Sequence, residues 1–208
     1  MTDQSVRMGE AEVETKEAIM AATYRAVCTH GFADVTMQDI ADEFDKSKSL
    51  LHYHFDTKED LLLAFLHHLV DEFEANLASL LERPIPPEDR LREYLEWFAV
   101  EPEEAERTSL HLALLELRSQ AQRNPRFREP FRRSDRLGRA AFADILEEGQ
   151  GTGRFDAEVD VEALARLCYA TMDGARARQL TLGEPGYAAT VAETLHGLLL
   201  DRLEPDAP

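Results

Sequence analysis

The stretch that decides the fold is "TMQDIADEFDKSKSLLHYHFDTKEDLL", residues 36–62. Thr36 opens it with Asp39 three residues on, a capping-box spacing in which each side chain satisfies a free backbone amide at a helix start. Met37, Ile40, Ala41 and Phe44 follow at i, i+3, i+4 and i+7, the single apolar stripe of a short helix docked on a neighbour. Asp45 then turns the chain, at a position where Asp tolerates left-handed geometry better than most residues. Ser47 suits the N-cap of a second short helix, from Lys48 to about His54, with Leu51 and Phe55 as its anchors. The opposite face pairs Lys48 with His52 and Ser49 with Tyr53, a compact polar surface able to donate hydrogen bonds. Two short helices across a tight turn form a helix-turn-helix, whose second helix fits a DNA major groove.

Outward from this motif, apolar residues keep helical spacing and no stretch alternates long enough to argue for a strand, so the expected class is all-α. A first helix over 13–30 buries Ile19, Ala22, Ala26 and Cys28 and stops at Gly31. "TKED", residues 57–60, caps a helix reaching about Leu81, which "RPIPPED", residues 83–89, interrupts. Further helices are expected over 88–100, 102–123, 125–148, 161–182 and 185–203, with prolines near their starts and glycines between them.

Charge makes the motif unusual. The 208 residues carry 41 acidic and 23 basic side chains, a net charge of -18, and such a surface repels phosphate. The lysines are Lys16, Lys46, Lys48 and Lys58 and every other basic residue is arginine, so the lysines gather at the motif, where phosphate contacts would need them. Salt bridges from Lys46 and Lys48 to Asp42, Glu43 or Asp45 are the plainer explanation of that placement. A lysine-poor, acid-rich composition also resembles proteins of salt-loving organisms.

Other chemistry finds little support. The longest apolar run, "LLLAFL" at 61–66, is too short to span a bilayer, and the N-terminus lacks a secretory pattern, so a cytoplasmic protein without membrane attachment is expected. Cys28 and Cys168 have no closely spaced partners, and His52 and His54 diverge by about 200° on a helix, so neither metal nor disulfide is expected. "GQGTGRF", residues 149–155, follows no strand and reads as a turn rather than a phosphate loop. With no nucleophile and base, no metal set and no phosphate loop, neither enzymatic activity nor a cofactor is expected. The arginines from Arg126 to Arg139 read as solvated ion pairs.

Residues 36–62 resemble the DNA-binding signature of TetR-family transcriptional repressors, T-x-x-x-I-A-x-x-x-G-V-S-x-G-x-L-Y-x-Y-F-x-x-K-E-x-L, matched by Thr36, Ile40, Ala41, Ser47, Leu51, Phe55, Lys58, Glu59 and Leu61. "ELRSQAQRNPRFREPF" (116–131), "GTGRFDAEVDVEALARL" (151–167) and "MDGARARQL" (172–180) resemble the C-terminal domain of choline-responsive repressors. The departures are Asp45-Lys46 for the family's turn Gly-Val, Ser49-Leu50 for its Gly-Thr, and His52-Tyr53-His54 for its Tyr-x-Tyr.

The resemblance implies a DNA-binding domain at 1–57 and a helical effector-binding and dimerisation domain at 58–208. Carried over by position, Thr36, His52 and Lys58 would hold phosphates, with Lys46 and Ser47 at the turn. Lys48, Ser49 and Tyr53 would face base edges, and Leu50 a thymine methyl. Which of the rings of His52, Tyr53 and His54 reaches DNA is left open. The last two helices would pair in a homodimer, with Val191, Leu195, Leu198 and Leu199 on one apolar stripe. Trp97, His111, Tyr169, Met172 and Asp173 combine apolar walls with polar groups suited to a small-molecule effector. The expected protein is thus a repressor that binds a double-stranded operator. The competing reading, supported by the acids around the motif, is a helical dimer that binds a small molecule or a protein and not DNA.

Overall fold

A computed structural model describes residues 2–45, 47–99 and 105–203, with side chains from residue 12 onward. Every element among them is helical: α1 (Thr2–Asp34), α2 (Met37–Asp42), α3 (Lys48–His54), α4 (Lys58–Leu81), α5 (Pro87–Glu96), α6 (Ala105–Gln120), a 3-10 turn (Pro125–Phe127), α7 (Arg128–Gly151), α8 (Val161–Leu182) and α9 (Tyr187–Leu203). They group into two compact units, Met1–Leu69 with Ser109–Arg128, and Val70–Thr108 with Glu129–Pro208. This grouping differs from a cut at residue 57, because the start of α4 and most of α6 pack with the N-terminal helices.

In the first unit α1 loses helical geometry at Gly31, where φ is 74° and ψ 169°, the glycine expected to end it. A side chain there would be strained by the positive φ, and its Cβ would stand 3.2 Å from a Glu116 carboxylate oxygen. Ile19, Ala22, Ala26, Val27, Ile40 and Leu51 are wholly buried, and Phe44 and Phe65 nearly so. Cys28, Met37, Ala41 and Phe55 are only half-buried, so the stripe of α2 is narrower than its spacing implies and Phe55 is a lesser anchor than Leu51.

The capping box is present: Thr36 N and Oγ1 donate to Asp39 Oδ2 at 2.8 and 2.7 Å, and Asp39 N donates to Thr36 Oγ1 at 3.2 Å. These bonds, the Thr36 hydroxyl's first, hold the Asp39 carboxyl below its ordinary pKa. Ser47 occupies the N-cap of α3 in extended geometry, but its side chain makes no capping hydrogen bond, so it marks the helix start without fastening it. No non-glycine among the described residues has positive φ, so the turn does not draw on the left-handed tolerance of Asp45. Arg25 staples α1 to the end of α2, Nε donating to Glu43 Oε2 at 2.9 Å and Nη2 to the Glu43 carbonyl at 2.6 Å.

In the second unit α9 packs on α5 and α8, around a core that includes Leu91, Tyr94, Phe98, Phe142, Ile145, Cys168 and Met172. Burying each large side chain contributes about 1.5–3 kcal/mol. Tyr94 donates to the Gly138 carbonyl at 2.7 Å, and burial pushes its phenol well above the ordinary range. Helix α8 matches its expected span, capped by Asp160, which accepts from Ala163 N at 3.0 Å, and closed by left-handed Gly183. Helix α5 stops at Glu96 instead of residue 100, and the proposed start of its successor at Pro102 lies outside the described residues. Pro125 opens a 3-10 turn before α7 because the Asn124 side chain accepts from Arg126 N at 3.1 Å.

Candidate functional site

Helix α3 fixes the candidate nucleic-acid interface. Leu51 faces inward with no exposed surface, while Lys48, Ser49, His52 and Tyr53 are exposed on the other side, Tyr53 at 82%. Positions i, i+1, i+4 and i+5 share one helix face, so burying Leu51 presents these four together. Leu50 and His54 are half-buried beside them, and the His54 ring meets Tyr53 edge to face at 5.4 Å.

The remaining predicted contacts differ in freedom. Lys48 Nζ donates to Gln38 Oε1, and Gln38 Nε2 reaches Asp42 Oδ1 at 2.5 Å, so the lysine is oriented by an amide rather than by the acids beside it. Lys58 is half-buried and donates to the Val35 carbonyl at 2.7 Å and the Ala33 carbonyl at 3.1 Å. It therefore fastens the junction between α1 and α2, a structural role that the motif spacing did not disclose. The Thr36 hydroxyl is committed to Asp39. Ser47 is exposed, and Lys46 lies outside the described residues.

The same unit ties α4 to the segment after α6. Arg126 donates from Nη1 to Glu59 Oε1 at 2.9 Å and from Nη2 to Asp60 Oδ1 at 2.7 Å. Hydrogen bonds from Asn124 and Arg126 lower the Glu59 pKa, and those from Thr57 and Arg126 lower that of Asp60. In the second unit, Arg133 pairs with Asp71 and Glu74, Arg136 with Glu129, and Arg139 with Asp135.

Of the predicted effector residues, Trp97, Tyr169, Met172 and Asp173 belong to the second unit and His111 to the first. Met172 is wholly buried and Tyr169 is 7% exposed, so each can serve a ligand only as wall. Trp97 stacks on Phe73 with centroids 5.1 Å apart and meets Phe98 edge to face at 5.6 Å. Two arginines that the spacing left unremarked join this group: Arg107 lies over the Trp97 ring at 5.7 Å, and Arg176 over Phe98 at 5.2 Å. The register was a usable signal, since Tyr169, Met172, Asp173 and Arg176 share one face of α8. A separate cleft of about 450 Å³ lies between α5 and α9, with Arg92, Glu96, Glu193 and His196 on its walls and none of the predicted effector residues.

Neither Cys28 nor Cys168 is in a disulfide, and burial pushes the Cys168 thiol up to about 12. No cluster able to hold a metal ion, and no helix long and apolar enough to cross a membrane, occurs among the described residues.

Comparison with known proteins agrees with this arrangement. Residues 19–65 match the family model of bacterial regulatory proteins of the tetR family, and residues 87–203 match that of the C-terminal domain of BetI-type transcriptional repressors. A TetR transcription regulator of Haloarcula marismortui is 38% identical, with a TM-score of 0.81 over 92% of this chain and 99% of that one. The transcriptional repressor AcnR of Corynebacterium efficiens is 26% identical over 85% of this chain and 88% of its own length. A protein of Saccharomonospora viridis solved in complex with choline shares the fold at 23% identity, with a TM-score of 0.78 over 92% of this chain and 98% of that one. With both parts of the chain matched, and with a solved relative aligned almost end to end, this protein belongs to the TetR family of DNA-binding transcriptional regulators and is not an enzyme.

Proposed function

We propose that the chain is a homodimeric repressor that binds a double-stranded operator and is released from it by a small molecule. The observation that carries this reading is the α3 face, where Lys48, Ser49, His52 and Tyr53 are exposed together over the buried Leu51. In the bound state Lys48, Ser49 and Tyr53 read base edges and Leu50 meets a thymine methyl. His52 and the Lys46–Ser47 turn hold phosphates, and Thr36 offers its place at the N-terminus of α2 to another. Lys58 supports the motif through Val35 and Ala33 and gives the phosphate backbone its remaining ammonium hydrogen.

Of the acids around the motif, Glu43 weighs less against DNA than its charge implies, because Arg25 is ion-paired with it. A second copy would cover Leu167 and Leu182 of α8 and Leu198 of α9, each at least 60% exposed. Residues 1–57 then act as the reading head and 58–208 as the effector and dimer region, in a salt-adapted cytoplasm consistent with the net charge of -18. Effector binding alters the spacing of the two recognition helices, and a dimer that reads two half-sites loses affinity when that spacing changes.

A DNase I footprint on the DNA upstream of the protein's own coding region tests this, run beside sedimentation of the same sample. The expected result is a dimer that protects two half-sites about one helical turn apart. A folded protein that protects no region would point instead to a helical binding module without DNA binding.

A further inference from the structure

The interior of the second unit carries cations where a cation-binding site would need bare aromatic faces. Arg107 lies over Trp97 and donates from Nη2 to the Trp97 carbonyl at 2.5 Å. Arg176 covers Phe98, and Nη2 reaches Asp173 Oδ1 at 3.2 Å. Its side chain is 17% exposed and that of Asp173 22%, so the group is largely withdrawn from water yet still open to it. Asp173 takes one nitrogen of the guanidinium fork, and among the described residues nothing accepts from Nε or Nη1.

A guanidinium largely withdrawn from water, with one nitrogen held by Asp173, keeps donors for an incoming acceptor. It gains most from a planar acceptor that takes two N–H bonds at once. Burial disfavours the charged form of Arg176 and Arg107 adds to the effect, and an incoming negative charge offsets both. An onium cation meets the reverse: the Trp97 and Phe98 faces are already occupied, and two guanidinium groups repel it.

Resting on the effector reading above, we propose that Arg176, with Arg107 beside it, binds the carboxylate of a small organic acid whose apolar body lies on the Tyr169 side of the two arginines. The effector is then an anion, and the choline bound by the Saccharomonospora viridis protein is of the wrong charge for this site. Asp173 holds the fork in orientation and, as a like charge, favours a single carboxylate over a polyanion.

The test is a thermal-shift and calorimetric titration of the full-length protein at fixed ionic strength. Its probes are benzoate, phenylacetate and octanoate, with choline and glycine betaine as the opposing class. At least one carboxylate is expected to bind and to raise the melting temperature, with Arg176→Gln weakening it roughly ten- to hundredfold. Arg176→Lys should recover only part of the loss, because an ammonium keeps the charge without the fork. Should Arg176→Gln not fold, Arg107→Gln is expected to weaken the same probe. Binding of choline or betaine without any carboxylate would overturn the anion assignment while leaving the effector reading intact. Silence from both classes would overturn both. A carboxylate that binds both Gln variants as tightly as the parent would also overturn the assignment.

Discussion

The Lys58 ammonium lies 2.7 Å from the Val35 carbonyl oxygen, and this contact closes the junction where α1 ends and α2 begins. Hydrogen bonds from charged donors contribute about 1.5–3 kcal/mol, so Lys58→Ala should destabilise the protein by about 1.5 kcal/mol or more. Lys48→Ala, at an exposed site, should cost under about 0.5 kcal/mol. Urea denaturation of the two variants decides: equal stabilities would show that Lys58 does not hold the junction.

Salt dependence separates phosphate contacts from base contacts. Counterion release lowers log affinity by about 0.9 per contacted phosphate for each decade of salt. With few lysines on a chain of net charge -18, binding should fall only shallowly as KCl rises. Lys48→Gln should leave that slope almost unchanged while weakening operator binding, because Lys48 is assigned to base edges. A drop of about one unit in slope would make it a phosphate contact.

Arg126 predicts a pH signature. Glu59 and Asp60 are held below their ordinary pKa values of 4.5 and 3.8 by Asn124, Thr57 and Arg126. Carboxylates lowered in this way stabilise the folded chain above their ordinary values, and the stabilisation is lost as pH falls through the lowered ones. Arg126→Ala should therefore melt below the parent at neutral pH and converge on it as pH drops below those ordinary values. A gap that is constant across the titration would contradict the ion-pair account.

Gly138 of α7 has no room for a side chain. A Cβ there would stand 2.1 Å from Tyr169 Cε2, and Tyr94 donates to the Gly138 carbonyl on the same turn. Gly138→Ala should cost about 1–3 kcal/mol by overpacking. Because Tyr169 lines the proposed carboxylate site, the substitution should also weaken effector binding. Chemical denaturation and a ligand titration measure the two effects separately.

Local chemistry was legible in the sequence. Thr36 and Asp39 announced the cap of α2, Gly31 the end of regular helix in α1, and the span of α8 followed from its apolar period and Gly183. The outward face of α3 followed from placing Leu51 inside. What escaped was long-range pairing. Nothing around Lys58 reveals that Val35 and Ala33 receive its ammonium, nothing in the spacing links Arg126 to Glu59, and the grouping of residues 109–128 with the N-terminal helices is set by tertiary packing. Arg107 and Arg176 were passed over for a related reason. Arginine on a helix reads as solvated surface until the aromatic ring beneath it is seen.

The most direct test of the central claim is fluorescence anisotropy on the protein's own upstream DNA in high KCl, with random DNA as competitor and Lys48→Glu alongside. Helix α3 in the groove predicts saturable binding that random DNA does not displace and that Lys48→Glu abolishes without unfolding the protein. Equal affinity for upstream and random DNA, or a Lys48→Glu variant that binds like the parent, would contradict it.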